Sequence, residues 1–223
     1  TYFSLENKNN EKLLEPADKM FKDFYKPYNG ENLDNKTIFI WRTGGIGDIL
    51  FIQPCMRYLK IKYPTCKIRF ACSAHYASFM TTWSGLIDYL HYIPFDFQLL
   101  QDSDYHVTFE GVIERCNEAK TINAYKLFAK RMHIELPDSL LRPKIDCLQS
   151  SLDKVDLYLK NKNLKKDDYI VIQCKASSPI RTPAPELMKK ILTFILEVNN
   201  KLIFTDSPTN YDYVNELINV CVP

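Results

Sequence analysis

A glycine-rich turn between an apolar run and a helical pattern constrains the fold most. The run 37–41 (TIFIW) is short and rich in β-forming residues, which predicts a buried strand. Residues 43–48 (TGGIGD) then supply three glycines, and residues 49–63 place apolar side chains at helical spacing. Residues 66–72 form a second β-rich run. A strand, a turn, a helix and another strand in this order predict a parallel sheet.

A second unit of the same kind begins near residue 169. The sequence predicts a strand over 169–173, a loop over 174–185, an amphipathic helix over 186–198 and a further strand over 201–205, followed by a helix to about 220. Between the two units we expect helices at 75–83 and 123–133, strands at 90–94 and 105–109, a linking stretch over 134–152 and a helix over 153–160.

These patterns predict an α/β protein with two Rossmann-like parallel-sheet domains. We expect an N-terminal extension over 1–36, a first domain over 37–150 and the start of a second over 151–223. The chain starts with Thr1 rather than Met and ends at Pro223 soon after a helix. We therefore expect it to be part of a longer protein, with the second domain incomplete.

The overall composition is that of a cytoplasmic globular protein. A net charge of +2 gives no indication of nucleic-acid binding. The seven cysteines are odd in number and form no CxxC pair, which argues against a disulfide scaffold or a zinc ribbon. The sequence contains neither a signal peptide nor an apolar run long enough to span a membrane.

The glycine-rich turn has the character of an anion-binding loop. Free N–H groups and the helix dipole favour a negative ligand there, and Gly44, Gly45 and Gly47 allow close approach. The Walker A sequence is absent. The dinucleotide fingerprint is half met, because Leu50 replaces its third glycine and no acidic residue follows the second predicted strand. This disfavours NAD or FAD and leaves a nucleotide-dependent oxidoreductase as an alternative.

Asp48 closes this loop and is open to two interpretations. As a helix N-cap it would accept N–H bonds from the first turn. As a general base it would take a proton from an acceptor hydroxyl. The two roles are compatible.

The loop after the strand at 169–173 is the second candidate site. Cations, hydroxyls and free N–H groups between a strand and a helix can hold a diphosphate, although an ordinary solvated loop would look similar. The candidate residues are Lys175, Ser177, Ser178, Arg181 and Thr182. Asp102 and Asp104 form a DxD pair but have no further metal ligands in the sequence pattern, so we expect no metal site. Glu110 follows a predicted strand without a specific role.

Two parts of the chain resemble glycosyltransferase family 9, the ADP-heptose:lipopolysaccharide heptosyltransferases. In that family a strand ends in Arg, a small-residue loop closes with Gly-Asp, and a helix with an early Pro leads to Tyr-Pro and a second strand. Gly47, Asp48, Pro54 and the pair Tyr63–Pro64 match this pattern. Residues 170–186 resemble the start of the family's C-terminal domain, where a small-residue loop leads to a basic residue and a helix.

The chain departs from the family in two places. Thr182 stands where the family has Trp. The family's later Asp-Ser-Gly-x-x-His segment, which helps to hold the nucleotide sugar, is absent from these residues. These departures keep open a second alternative, a non-catalytic binding or assembly module with a glycosyltransferase-like fold.

The resemblance implies a GT-B fold and an inverting transfer that needs neither metal nor cofactor. The donor would be a nucleotide-diphospho-sugar and the acceptor a hydroxyl of a glycan or glycolipid, with peripheral membrane contact left open. Asp48 would be the base, the first domain would hold the acceptor and the second the donor.

Overall fold

The computed structural model describes residues 24–176 and 179–221. The chain divides into two compact units, one ending at Cys147 and the other beginning at Leu148.

The first unit is built on a four-stranded parallel sheet. Its strands are β1 (Thr37–Trp41), β2 (Lys67–Cys72), β3 (Tyr89–Tyr92) and β4 (Tyr105–Thr108). Their order across the sheet is β3-β2-β1-β4. β1 is central, and Ile38 lies opposite Ile68 on one side and Tyr105 on the other. The predicted parallel β-loop-α-β arrangement is therefore present.

Short helices lie between these strands and after β4. They are α1 (Ile46–Leu50), α2 (Gln53–Lys62), α3 (Ala77–Met80), α4 (Gln98–Gln101) and α5 (Ala124–Arg131), with 3₁₀ turns at Ala74–Tyr76, Asn117–Lys120 and Asp138–Leu140. The single helix predicted over 49–63 is wrong in one respect, because it is divided after Leu50. Pro54 lies in the first turn of α2, where it lacks an N–H to continue a helix from upstream.

Side chains alternate between the two faces of the central strand. Ile38 and Ile40 are fully buried in the main core, which also contains Ile68 and Phe70 of β2, Met56 and Leu59 of α2, and Ile52, the N-cap of α2. Phe39 points to the opposite face and packs with Ala71 and Leu100. Burial on both faces explains why β1 reads as a continuous apolar run.

The described part of the predicted N-terminal extension, residues 24–36, packs against this sheet. Tyr28 and Leu33 are buried in the main core. The N–H of Tyr28 donates to the carbonyl of His106 at 3.0 Å, and the N–H of Lys26 donates to His106 Nδ1 at 2.7 Å. These residues therefore belong to the first unit.

The second unit pairs two parallel strands with three helices. It contains α6 (Gln149–Asn161), β5 (Ile170–Gln173), α7 (Pro185–Val198), β6 (Leu202–Thr205) and α8 (Tyr211–Cys221), with 3₁₀ turns at Pro179–Arg181 and Pro208–Asn210. Its small core consists of Ile172, Cys174, Met188, Leu192 and Leu217. Across the described residues of both units, no helix is sufficiently long and apolar to traverse a bilayer.

Candidate active site

The glycine-rich turn places Asp48 in the first turn of a helix. Gly45 is the N-cap of α1, and Asp48 is the third helical residue. Its Oδ2 accepts a hydrogen bond from the N–H of Gly45 at 3.0 Å. The N-cap interpretation of Asp48 is therefore wrong in position, because Asp48 supplies the carboxylate that reaches back to the cap.

Gly44 has a backbone conformation that favours glycine. Its φ is +104°, and an added Cβ would lie 2.9 Å from Oδ2 of Asp48. Its carbonyl accepts a hydrogen bond from the hydroxyl of Tyr76 at 3.1 Å. Gly44 thus makes room for the carboxylate of Asp48. Gly47, in contrast, has open space where a Cβ would be.

A buried arginine lies behind Asp48. The side chain of Arg42 is 1% exposed, and its Nη2 lies 3.3 Å from Oδ1 of Asp48. The same nitrogen lies 2.5 Å from Oε1 of Glu114, and Nη1 donates to the carbonyl of Phe109 at 2.5 Å. Arg42 follows β1, whereas Phe109 and Glu114 follow β4, so this contact joins the carboxyl ends of two neighbouring strands.

Glu110 adds a third carboxylate to the group. Its Oε2 accepts from the hydroxyl of Thr43 at 2.7 Å, and its Oε1 accepts from the N–H of Thr43. Its distance to Nη1 of Arg42 is 3.8 Å. We call Arg42, Asp48, Glu110 and Glu114 the Arg42 cluster. It fixes the glycine loop to the loop after β4.

Within the cluster, the positive charge of Arg42 and the negative charge of Glu114 each favour the ionised form of the other. Burial works to lower the pKa of Arg42, but the hydrogen bond and charge of Glu114 outweigh it and leave that pKa above its usual value. Burial works to raise the pKa of Glu114, and the hydrogen bond from Arg42 brings it below its usual value. Both groups are therefore ionised at neutral pH.

The Arg42 cluster lies where open parallel sheets bind ligands. In the strand order β3-β2-β1-β4, the chain winds outward from β1 in one direction and then returns to place β4 on its other side. Such a reversal opens a crevice at the carboxyl ends of β1 and β4, the two strands on either side of it. The side chains of Asp48 and Glu110 are 32% and 39% exposed there, so both can meet a ligand.

The candidate loop of the second unit is held by Asp206, which follows β6. One oxygen of Asp206 accepts from the N–H of Lys175 at 2.9 Å, and the other accepts from the side chain of Asn210 at 2.7 Å. Led by the Asn210 bond, these contacts keep the pKa of Asp206 below its usual value. The ammonium group of Lys175 lies 5.7 Å from the ring centre of Tyr213. Asp206 thus fixes the backbone from which Lys175 projects.

Thr182 closes the same loop on itself. Its hydroxyl oxygen accepts from the N–H of Ala176 at 3.1 Å and lies 3.3 Å from the carbonyl of Ala176, to which it can donate. Arg181 is exposed in the preceding 3₁₀ turn. Ser177 and Ser178 lie outside the described residues. The described part of this loop thus contains Lys175, Arg181 and Thr182, and their role in binding stays a prediction.

The two aspartates of the DxD pair have other contacts. Asp104 accepts from the N–H of Thr37 at 2.8 Å and from the ammonium group of Lys36 at 3.1 Å. Asp102 ends α4, and its carboxylate accepts from Gln98 at 3.0 Å. Asp104 thus stabilises the start of β1, at the opposite end of the sheet from the Arg42 cluster.

No protein-family model matches this chain, and no curated protein matches it at a significant level.

Comparison of structures does find similar folds. A glycosyltransferase of family 9 from Veillonella parvula DSM 2008 aligns with a TM-score of 0.65 and 12% identity, covering 86% of this chain and 68% of that one. The chain has the fold of the family 9 glycosyltransferases. E. coli heptosyltransferase WaaC with ADP-2-deoxy-2-fluoro heptose aligns with a TM-score of 0.50 and 12% identity, over 81% of this chain and 72% of that one. Its complex with ADP gives the same score at 13% identity, over 81% and 70% of the two chains. The predicted GT-B-like α/β fold and the resemblance to this family are confirmed at the level of the fold.

Proposed function

We propose that this protein is a glycosyltransferase that moves a sugar from a nucleotide-diphospho-sugar to a hydroxyl of a glycan or glycolipid. The observation that carries the proposal is the placement of Asp48. Its carboxylate is partly exposed at the carboxyl end of the central strand; one oxygen accepts a hydrogen bond from the N–H of Gly45, and the other forms an ion pair with Arg42. The shared fold with family 9 glycosyltransferases supports the same reaction class.

In this reaction Asp48 acts as the general base. It accepts the proton of the acceptor hydroxyl while that oxygen forms a bond to the anomeric carbon of the donor. The bond from that carbon to the diphosphate breaks, and its electron pair leaves with the nucleoside diphosphate. Attack from the face opposite the leaving group inverts the configuration at the anomeric carbon.

The donor's diphosphate binds to backbone N–H groups and cations rather than to a metal ion or a cofactor. The proposed substrate- and donor-binding residues are Gly44, Gly45 and Gly47 of the glycine loop and Lys175, Ser177, Ser178, Arg181 and Thr182 of the second loop. Preorganised donors and cations stabilise the charge that develops on a leaving diphosphate, which is commonly a large contribution to catalysis.

We assign the acceptor to the first domain, predicted over residues 37–150, and the donor to the second domain, predicted to begin at 151. The proposed location is the cytoplasm. A glycolipid acceptor would bring the protein into peripheral contact with a membrane.

The test is release of nucleoside diphosphate from ADP-, UDP- and GDP-sugars in the presence of glycan and glycolipid acceptors. We expect one donor to be turned over, beginning the search with ADP-sugars because WaaC is solved with ADP. Asp48→Asn should abolish most of that turnover. Donor binding without turnover would support a binding module instead, and micromolar binding of NAD(H) or NADP(H) would support an oxidoreductase.

A further inference from the structure

The Arg42 side chain is built into the sheet rather than into a binding surface. It is almost completely buried, and each of its two terminal nitrogens is committed to groups of the protein: Nη1 to the carbonyl of Phe109, and Nη2 to the carboxylates of Asp48 and Glu114. A buried cation is costly unless it is paired and hydrogen-bonded. Both terminal nitrogens of Arg42 are paired in this way, and one of them lies beside Asp48.

We propose that Arg42 is a positioning residue for Asp48, and that Glu114 holds Arg42 in place. This inference rests on the proposed function, in which Asp48 is the base. Arg42 does not touch the substrate. It fixes Oδ1 of Asp48, while the N–H of Gly45 fixes Oδ2, so that the carboxylate keeps one orientation towards the acceptor.

The geometry requires a guanidinium group. Arg42 must reach Phe109 and Asp48 with two nitrogens at once, and its planar end presents both in a fixed relation. A lysine has one charged nitrogen on a flexible stem and cannot keep both contacts. Arg42→Lys therefore preserves the positive charge, but the carboxylate of Asp48 is no longer held in one orientation.

Glu114 is the more exposed of the two carboxylates that contact Nη2 of Arg42. Its side chain is 56% exposed, yet it makes the shorter of the two carboxylate contacts to Nη2, at 2.5 Å against 3.3 Å for Asp48. Without the charge of Glu114, Nη2 would lose its shorter contact and would no longer be held in its position beside Asp48. Glu114→Gln retains an oxygen that can accept from Arg42 and removes the charge.

The decisive experiment is a double-mutant comparison of turnover with the donor that the activity test identifies. Misplacement of a catalytic group by about 1 Å can cost about a hundredfold in rate. We expect Arg42→Lys to lower kcat by about ten- to a hundredfold and to leave the donor KM within about twofold. In the Asp48→Asn background the same change should alter the residual rate by less than about twofold, because residues that act through one another are not additive.

Arg69→Lys is the matched control. Arg69 also lies on a strand of this sheet and is 20% exposed, and it contacts Tyr89 and Asp102 rather than the cluster. We expect it to affect stability without lowering kcat. An equal fold loss from Arg42→Lys in the two Asp48 backgrounds would show that Arg42 serves the fold alone, and the proposal would be abandoned.

A second measurement does not depend on turnover. Carboxylates are labelled with a carbodiimide and glycine ethyl ester, and the labelling rates of Asp48 and Asp88 are compared by mass spectrometry. Asp88 pairs with Lys60, away from the cluster, and serves as the internal reference. We expect Arg42→Lys to accelerate labelling of Asp48 several-fold and to leave Asp88 unchanged.

The two measurements separate the proposals. If the wild-type protein turns over no donor, the proposed function fails, while faster labelling of Asp48 still supports the positioning by Arg42. Unchanged labelling overturns that positioning whatever the activity. If Arg42→Lys does not fold, Glu114→Gln replaces it in both measurements, with smaller effects in the same directions and the same criteria.

Discussion

Asp48 accepts a hydrogen bond from the N–H of Gly45, three residues earlier, across the first turn of its own helix. The same carboxylate faces Arg42 through its other oxygen. One oxygen therefore contacts the start of its own helix, and the other contacts a residue outside that helix. An amide oxygen can replace the first contact, whereas the negative charge and the ability to accept a proton belong only to the carboxylate.

Asp48→Asn should consequently separate turnover from stability. We expect the rate of sugar transfer to fall by about a hundredfold to ten-thousandfold, the usual contribution of a positioned base. The melting temperature should change little, because Asn can still accept from Gly45. Steady-state kinetics and thermal unfolding of the same samples provide the measurement.

Asp48→Ala is the companion variant. It loses the bond to Gly45 as well and should cost about 1 kcal/mol of unfolding free energy, the typical value for a helix-start hydrogen bond. Full activity of the Asn variant would remove Asp48 from the mechanism and leave it only its contact with the helix start.

Gly44→Ala should disturb the site through the backbone. A non-glycine residue at φ +104° is strained, and its Cβ would lie 2.9 Å from Oδ2 of Asp48. We expect a loss of about 1–3 kcal/mol in unfolding free energy, together with reduced turnover as Asp48 is displaced. Chemical denaturation measures the first effect and initial rates the second.

Gly47→Ala is the matched control for stability. No atom lies within 4 Å of the added Cβ, and the residue is inside a helix with an ordinary backbone conformation. The unfolding free energy should be unchanged or higher by up to about 1 kcal/mol, since Ala favours helix. Equal destabilisation by both substitutions would contradict the role given to Gly44.

Arg181→Ala should weaken binding of a nucleoside diphosphate. A charge-assisted hydrogen bond to phosphate contributes about 1.5–3 kcal/mol, so affinity should fall by that amount. Calorimetry with ADP, UDP and GDP checks it. Lys190→Ala, which removes an exposed cation from α7, is the control and should leave affinity unchanged. If Arg181→Ala also has no effect, the same titration of Lys175→Ala decides whether that residue binds the diphosphate.

Asp88 makes the stability of the first unit depend on pH. It accepts from the ammonium group of Lys60 and from the N–H of Ile68. Burial works to raise its pKa, but these hydrogen bonds outweigh it and hold the pKa below its usual value. A lowered carboxyl pKa stabilises the folded state above the unfolded value, near 4, and that contribution is lost as the pH falls through the folded value.

Asp88→Asn should therefore cost about 1 kcal/mol of unfolding free energy at pH 7, and the difference from wild type should shrink below about pH 4. Urea unfolding at pH 7, 5 and 3 provides the comparison. Asp102→Asn, an exposed carboxylate 3.9 Å from Arg69, should show a smaller difference at pH 7. A difference for Asp88→Asn that is independent of pH would show that its charge is not the cause.

Local patterns predicted much of this architecture. The strand β1, the turn after it and the parallel pairing with β2 follow from neighbouring residues, and the structure contains all three. The sequence predicts the start of α7 at Glu186, one residue after its observed start at Pro185. The break after Leu50 was missed because helical periodicity continues across it, and only the position of Pro54 signals a second helix start.

The partners of Asp48 could not be predicted in the same way. Arg42 and Glu114 are 72 positions apart in the sequence, and only the pairing of β4 with β1 brings them together. Arginine is rarely buried, so composition alone gives no reason to place Arg42 inside the protein. Asp206 likewise acts on Lys175 across 31 positions. The glycine loop was predictable because its own residues form it.

The position of β4 also affects the order in which the active protein can form. β4 is the last strand of its sheet along the chain, yet it pairs with β1 rather than with β3. Before segments so far apart can pair, the chain between them must close into a loop. Closing that loop costs entropy, so such pairing tends to be slow. Until it occurs, Arg42 lacks its contacts with Phe109 and Glu114. A chain that has formed only β1 to β3 therefore has its glycine loop, but Arg42 is not yet fixed beside Asp48.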